Sequence, residues 1–229
     1  MSEHPDKIMK KVPCIYDKEM YERSYSRDNW NDGRRLLARC IRKGKPGLIL
    51  DIGCGLGFFV ECCYKFGIPC IGLEGSEYAV QTAKKREPNF DVRQHDLADP
   101  FPFEDESFST VMCNEVIEHL PKEVAENALR ESYRVLSEGG IIIVYSPSIY
   151  NPKQAKEPTH INLHSPKSLK RELKKAGFKK VRNFNKSLKL ELGLLNPLNQ
   201  MIRALFTLLP FSFLSASANC IATKTKEEC

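Results

Sequence analysis

The chain has 229 residues, of which 41% are hydrophobic, and a formal net charge of +6 at pH 7. This size and composition predict one sizeable hydrophobic core with a small addition. Nine cysteines, an odd number without paired CxxC motifs, argue against a structural zinc site and favour reduced thiols. The polar stretch from Met1 to Lys11 does not resemble a signal peptide, so we expect a cytoplasmic protein.

Strand-like and helix-like segments alternate along the chain. Residues 1–42 carry aromatic residues among charges and predict an N-terminal helical cap. The predicted strands are Leu48–Ile52, Pro69–Leu73, Phe90–Gln94, Phe108–Cys113 and Ile141–Tyr145, and the predicted helices between them are Phe58–Phe66, Glu77–Arg86 and Lys122–Leu136. This alternation predicts a parallel sheet covered on both faces. The pairs Gly139-Gly140 and Gly177-Phe178 are expected to close helices before strands.

Near the C-terminus, residues 192–223 contain a single charged residue, Arg203. Prolines and asparagines interrupt this segment, and its uncharged part is too short for a membrane span. We therefore predict a helical insertion at about 190–216 that packs on the domain. Contact with lipid or with an apolar substrate is the alternative.

Charge is distributed unevenly. Residues 87–138 contain thirteen acidic and four basic residues, whereas residues 167–189 contain ten basic residues and one acidic residue. Such a basic run is typical of a solvated helix face. The alternative is an anionic partner, which would be a membrane surface, a phosphorylated substrate or nucleic acid.

A glycine-rich turn follows the first predicted strand. Asp51 ends the apolar run, and glycines follow at positions 53, 55 and 57. This pattern predicts a strand, a tight turn and a helix start, which together let a backbone approach a nucleotide-like ligand closely. Glu74 ends the next strand, 23 residues after Asp51, where a carboxylate suits a ribose diol.

Further motifs follow in order: His-Asp-Leu at 95–97, Pro-Phe-Glu-Asp-Glu-Ser-Phe at 102–108 and Glu-Val-Ile-Glu-His-Leu at 115–120. Together with the Asp-Ile-Gly-Cys-Gly-Leu-Gly turn, this set resembles the class I S-adenosylmethionine-dependent methyltransferases of the ubiquinone-biosynthesis group, over about residues 45–185. The GxGxG spacing differs from the GxGxxG of nicotinamide enzymes. The resemblance implies an α/β, Rossmann-like three-layer sandwich. Its sheet would be mostly parallel and seven-stranded with an antiparallel last strand, in a domain spanning residues 43–229.

The resemblance also implies a set of cofactor contacts to S-adenosylmethionine. The expected partners of the methionine part are Asp51 and the backbone of Gly53, Cys54 and Gly55. The expected partners of the ribose and adenine are Glu74, Gly75, Ser76, Asp96 and Leu97. Asn114 is expected below the sulfonium. An N-terminal aromatic residue is expected to close over the cofactor; Tyr16, Tyr21 and Tyr25 remain open, with Tyr21 as our candidate.

A second group of side chains predicts either a metal site or a base. Glu115, Glu118 and His119 have i, i+3 and i+4 spacing, so they would share one face at a helix start and hold a divalent metal ion. His160 or His164, after the fifth strand, would complete the site. The arrangement resembles ubiquinone-pathway O-methyltransferases and small-RNA terminal 2′-O-methyltransferases. Without a metal, His119 or His160 is the candidate general base.

Three functions follow from these expectations. We favour methyl transfer to a small-molecule acceptor, with oxygen as the preferred accepting atom. The first alternative is RNA terminal 2′-O-methylation, in which residues 167–189 would contact phosphates, although no RNA-binding module with interleaved aromatic residues is present in the sequence. The second alternative is a non-catalytic, cofactor-binding partner protein. The sequence leaves the oligomeric state open.

Overall fold

The computed structural model describes Tyr21 and residues 29–44, 47–184 and 217–225. Within these ranges, helices and strands alternate as the sequence predicts. The helices are α1 (Asn29–Lys43), α2 (Phe58–Lys65), α3 (Glu77–Arg86), α4 (Lys122–Val135) and α5 (Pro166–Lys175). The strands are β1 (Ile49–Ile52), β2 (Cys70–Glu74), β3 (Val92–Gln94), β4 (Phe108–Asn114), β5 (Leu136–Tyr145), β6 (Lys180–Asn183) and β7 (Cys220–Thr223). Short 3-10 turns span Ile117–His119 and Gln154–Lys156.

The seven strands form one sheet in the order β3-β2-β1-β4-β5-β7-β6. The first five of these pair in parallel, whereas β7 runs antiparallel to both of its neighbours. This topology confirms the predicted fold class. The strand order reverses direction between β1 and β4, so a crevice opens at the carboxyl ends of these strands, which is where open α/β sheets bind ligands.

The core lies on both faces of this sheet. On β5, Ile142 and Val144 pack with residues of α4 and α5, whereas Ile143 and Tyr145 pack with residues of α1 and α2. A strand that is buried on both faces has a continuous apolar run instead of alternation. That is why residues 141–145 are recognisable as a central strand from sequence.

The prediction that Gly139-Gly140 closes a helix is wrong. Helix α4 already ends at Val135, and both glycines lie inside β5. Gly139 has a φ of 72°, and a Cβ on Gly140 would lie 2.8 Å from a carbonyl oxygen of Ser137. The glycines therefore permit an irregular backbone in the strand, at the point where its register with β4 shifts. By contrast, Gly177 follows the end of α5 with a φ of 112°, as predicted.

Two sequence predictions fall partly or wholly outside the described residues. Helix α1 corresponds to the last part of the expected N-terminal cap, but the rest of residues 1–42 is not described apart from Tyr21. The expected insertion at 190–216 also lies outside the described residues. Among the helices that the structure describes, none has the length and apolar character that crossing a bilayer requires.

Candidate cofactor and acceptor site

The turn after β1 has a backbone that favours glycine at three positions. Gly53, Gly55 and Gly57 have φ values of 64°, 55° and 74°, which side chains with a Cβ atom rarely adopt. A Cβ on Gly53 would lie 2.6 Å from Cγ2 of Val116. The turn after β1 therefore packs directly against the turn after β4, with no room for a side chain between them.

The carboxylate of Glu74 lies beside this turn, at the end of β2. Glu74 is buried, and its Oε2 and Oε1 accept hydrogen bonds of 2.8 Å from the backbone amides of Gly55 and Ser76. Burial raises the pKa of Glu74, while these hydrogen bonds and one from the Tyr21 hydroxyl lower it. The ring of Tyr21 lies 6.1 Å from that of Tyr78. The turn, the strand end and the N-terminal segment therefore meet at one carboxylate.

A second buried carboxylate, Asp51, lies on the neighbouring strand. Burial raises the pKa of Asp51 well above its ordinary value, and the charge of Glu74 raises it further. Two buried acids on neighbouring strands repel each other when both are ionised, and a positive charge nearby relieves both. The crevice therefore favours a ligand with a cationic group next to hydroxyl groups that can donate hydrogen bonds.

Other predicted contact residues line the same edge of the sheet. The Oδ1 of Asp96 accepts a 2.9 Å hydrogen bond from the amide of Ala98, which fixes the loop after β3. Buried Leu97 lies in this loop, and its carbonyl accepts 3.0 Å from the side-chain amide of Asn127 in α4. Sequence reasoning missed Asn127, because nothing in the sequence pairs it with a loop 30 residues away. It holds the expected adenine-binding loop in place.

The remaining predicted contact residues lie around the turns after β1, β2 and β4. Cys54 is buried, with its sulfur next to Gly72. Gly75 is exposed, and Ser76 is buried as the N-cap of α3, where its Oγ accepts 3.4 Å from the amide of Ala79. Asn114 ends β4 and is half-buried. Tyr16 and Tyr25 lie outside the described residues.

The turn after β4 differs from the expected helix start. Glu115 has a φ of 57° and is exposed, and a 3-10 turn begins only at Ile117. Because the left-handed residue interrupts the helical path, Glu115 does not share a face with Glu118 and His119. The prediction of three ligands on one helix face is therefore wrong for Glu115.

Three of the four predicted metal ligands nevertheless come together. One donor atom from each of Glu118, His119 and His160 lies within 4.8 Å of the others. The two imidazole rings are 4.7 Å apart between centroids. The Nδ1 atoms of His119 and His160 lie 3.1 Å and 3.0 Å from the carbonyl oxygens of Thr159 and Gln154. Since a carbonyl only accepts, Nδ1 must donate in each case, which leaves Nε2 as the atom that can offer a lone pair to a metal.

The electrostatics of this cluster fit a ligand set. Glu118 is fully buried, and burial lowers the pKa of His119 to about 4, so its imidazole is neutral at pH 7. A metal binds the neutral form of imidazole. The geometry of the three residues and the neutral imidazole of His119 therefore suit a divalent cation bound by one carboxylate and two imidazoles.

Asn162, which sequence reasoning missed, holds the loop of His160 against the turn of His119. Its backbone amide donates to the carbonyl of Glu118 at 2.9 Å, and its side-chain amide donates to the carbonyl of Ile117 at 3.2 Å. The alternative ligand, His164, lies apart from the cluster, with Nδ1 3.4 Å from Oγ of Ser168. The sequence shows a polar residue, Asn162, two positions after His160. It does not show that the hydrogen-bond partner of Asn162 is Ile117, 45 residues away.

Comparison with known proteins gives a consistent result. Residues 50–144 match the family described as Methyltransferase domain. The chain is 32% identical over 115 residues to a probable S-adenosylmethionine-dependent methyltransferase of Mycolicibacterium smegmatis, covering 50% of this chain and 42% of that protein. It is 32% identical over 143 residues to a ubiquinone biosynthesis O-methyltransferase of Pseudomonas entomophila, covering 59% and 56%. The chain thus spans about half the length of these curated relatives.

A likeness of fold covers more of the chain. The crystal structure of a SAM dependent methyltransferase from Archaeoglobus fulgidus has a TM-score of 0.67 and 23% sequence identity. The match covers 91% of this chain and 100% of that chain.

Proposed function

We propose that this chain transfers the methyl group of S-adenosylmethionine to a small-molecule acceptor, a proposal that the match of residues 50–144 to the methyltransferase-domain family supports. The observation that carries the proposal is the buried carboxylate of Glu74, held at 2.8 Å by the amides of Gly55 and Ser76. A carboxylate in this position next to a glycine turn suits the two hydroxyls of a ribose. We favour oxygen as the accepting atom, since the Pseudomonas relative is named an O-methyltransferase.

In this proposal, residues at the ends of different strands bind different parts of the cofactor. Asp51 and the backbone of residues 53–55 would hold the methionine part, whose ammonium offsets the buried negative charge. Glu74 would bind the ribose hydroxyls, with Tyr21 closing over them. The other proposed contacts are those expected from the sequence: Gly75, Ser76, Asp96 and Leu97 toward the adenine, and Asn114 toward the sulfonium.

Bound S-adenosylmethionine supplies a methyl group on a sulfonium, which is already a good leaving group. The residues of this chain therefore have to align the acceptor with that methyl group, exclude water and help an acceptor hydroxyl lose its proton. In this proposal, the Nε2 atoms of His119 and His160 take part in the last of these tasks, the loss of the acceptor proton. A base with a pKa of about 4 has little affinity for a proton at pH 7, so His119 suits a ligand role better than a base role.

The proposal includes a divalent cation held by Glu118, His119 and His160, because one donor atom from each of these residues lies within 4.8 Å of the others. Such an ion would lower the pKa of an acceptor hydroxyl as a Lewis acid. The carbonyls of Thr159 and Gln154 would orient the two imidazoles toward it.

Calorimetry with S-adenosylmethionine tests the cofactor assignment. Glu74→Ala removes the ribose partner, and Gly55→Val places a side chain where φ is 55°. We expect each change to weaken binding by about tenfold or more, the cost of losing a charged hydrogen bond or of distorting the turn. Glu77→Ala, an exposed residue in the first turn of α3, serves as the matched control. Equal binding by all of these proteins would refute the assignment.

Metal content tests the cation. The purified chain is incubated with Zn²⁺ or Mn²⁺, desalted and analysed by mass spectrometry. Glu118→Gln and His160→Gln should retain little metal, whereas Glu115→Gln should retain as much as the wild type because Glu115 lies outside the cluster. If Glu118→Gln binds as much metal as Glu115→Gln, the three residues are not the ligands.

The 2′-hydroxyl of an RNA end is the second candidate acceptor. The observation that favours it is the exposed basic face of α5, which includes Lys167, Arg171 and Lys174. Binding through such a face weakens steeply with salt. A labelled RNA that fails to bind at low salt would remove this candidate.

A further inference from the structure

The loop between β5 and α5, residues 146–165, exposes three large apolar side chains. Ile149, Tyr150 and Ile161 are 51%, 47% and 58% exposed. Single exposed apolar residues are ordinary, but several on one short loop are typical of an interaction surface. This loop also carries His160.

The exposure of these side chains does not come from a loosely packed loop. The amide of Ile149 donates to the carbonyl of His164 at 3.0 Å, and Ser148 forms a β-bridge with His164. His160 and Asn162 bond to the loop and to the turn after β4. The backbone is thus held at both ends and in the middle while the apolar side chains face outward.

Exposed basic side chains are present on the same loop and on the helix that follows it. Lys153 and Lys156 are exposed on the same loop, with Glu157 as its acidic residue. Helix α5 follows directly and exposes Lys167, Arg171 and Lys174, while its carboxylate, Glu172, pairs with Arg171 and Lys175 at 3.2 Å and 3.0 Å. From residue 149 to residue 182 the sequence has ten basic and two acidic residues.

We infer that this apolar and basic surface docks on an anionic lipid bilayer. The surface consists of Ile149, Tyr150, Lys153, Lys156 and Ile161, with the exposed basic face of α5 beside it. Isoleucines and a tyrosine gain free energy by entering the boundary between headgroups and acyl chains, and lysines near an anionic membrane add electrostatic attraction. Helix α5 contributes charge alone, because Leu169 and Leu173 are buried in the core.

The same features fit nucleic acid less well. Sequence-tolerant nucleic-acid surfaces place aromatic rings between basic residues so that bases can stack. Here two of the three exposed apolar side chains are aliphatic and offer no ring for stacking. Their burial in lipid is favourable, whereas a polyanion leaves them in water.

Docking has a consequence for the acceptor, and this consequence rests on the proposed function. Because His160 and the apolar side chains belong to one loop, docking would bring the cluster of Glu118, His119 and His160 to the bilayer surface. A lipid-like acceptor dissolved in the bilayer would then reach the site without crossing water.

Vesicle flotation with the full chain tests the inference. We expect the wild type to float with vesicles of phosphatidylcholine and phosphatidylglycerol but not with phosphatidylcholine alone, and to be released by high salt. Ile149→Ser with Ile161→Ser, and Lys153→Glu with Lys156→Glu, should each lower the bound fraction about tenfold. The matched controls are Phe66→Ser and Lys84→Glu, exposed residues after α2 and in the last turn of α3, near the amino ends of the strands.

Two results would overturn the inference: no flotation of the wild type, or equal losses in the loop variants and the controls. A chain that fails to float but binds a short single-stranded RNA through the same lysines would overturn it in favour of nucleic acid. Thermal unfolding of every variant checks folding, and calorimetry with S-adenosylhomocysteine keeps the two proposals separate. A chain that floats without binding S-adenosylhomocysteine refutes the proposed function and supports docking, and the reverse result refutes docking alone.

Discussion

Two carboxylates at adjacent strand ends, Asp51 and Glu74, show a conflict between stability and ligand binding. Both are buried, and burial raises the pKa of each. An acid whose pKa is raised by folding destabilises the folded state wherever the unfolded chain is ionised. These residues therefore cost stability in the free protein, and a cationic ligand group would recover that cost.

Replacing Asp51 by asparagine should separate the two effects. The stability cost of Asp51 is absent below its ordinary pKa of 3.8 and grows as the pH rises toward the raised folded-state pKa. We therefore expect Asp51→Asn to raise the melting temperature at pH 7, with a difference that vanishes as the pH falls to about 4. Affinity for S-adenosylhomocysteine should fall about tenfold or more, since a charged partner is lost.

Thermal unfolding across this pH range, together with calorimetry, makes both measurements. Asp99→Asn, a change at an exposed aspartate in the loop after β3, is the control and should alter neither quantity. A destabilised Asp51→Asn at pH 7 would contradict the electrostatic account.

At the scale of elements, the packing of the β1 turn on β2 depends on the lack of a side chain at Gly72. A Cβ there would lie 2.6 Å from Sγ of Cys54 and 3.0 Å from Cγ2 of Val60. The strand is thus as close to the turn and to α2 as their side chains permit. This contact also sets the distance between the Gly55 amide and Glu74.

A double-mutant cycle tests that packing. Gly72→Ala should lower the free energy of unfolding by about 1–3 kcal/mol, because it overpacks a closed interface. Cys54→Ala added to it should restore part of the loss, with a coupling of about 1 kcal/mol in urea denaturation. Gly75→Ala is the control, since its Cβ would meet its nearest atom at an ordinary 3.8 Å. Additive effects of the two changes would show that Cys54 is not the obstructing side chain.

Sequence alone predicted the elements whose pattern is local. Strands β1, β4 and the end of β5 are apolar runs buried on both faces, and helices α2 to α4 have clear helical spacing. The edge of the sheet was less readable from its own residues, because β6 buries only Val181 of its four residues. For this edge, the antiparallel arrangement followed from the family resemblance.

The residues of the candidate site also fall into two groups, those that the sequence predicted and those that it did not. The glycine turn and Glu74 were predictable because each follows a recognisable strand. The failure at Glu115 has a local backbone cause, a left-handed residue that spacing does not reveal. The pairing of His119 with His160 depends on a hydrogen bond that Asn162 donates to Ile117 and one that Thr159 accepts from His119, each across about 40 residues, and no sequence period records such contacts.

On the scale of the whole molecule, the proposed cofactor crevice joins parts of the chain that lie far apart in the sequence. Tyr21 comes from the N-terminal segment, Glu74 from the end of β2 and Asp96 from the loop that follows β3. A ligand that binds all of them stabilises the folded state as a unit, because the unfolded chain has no such site. The free energy gained depends on ligand concentration relative to Kd.

S-adenosylhomocysteine at about a hundred times its Kd should therefore stabilise the chain by about 2.7 kcal/mol. For a domain of this size, that corresponds to a rise in melting temperature of about 5 to 11 °C. The rise should grow with the logarithm of ligand concentration in a thermal-shift titration. NAD⁺ is the control ligand and should produce no rise, because the GxGxG turn lacks the spacing of nicotinamide enzymes. Equal shifts with both ligands would mean that the crevice recognises only the adenosine that they share, and that the carboxylates at the end of β1 and β2 do not select a cationic amino-acid group.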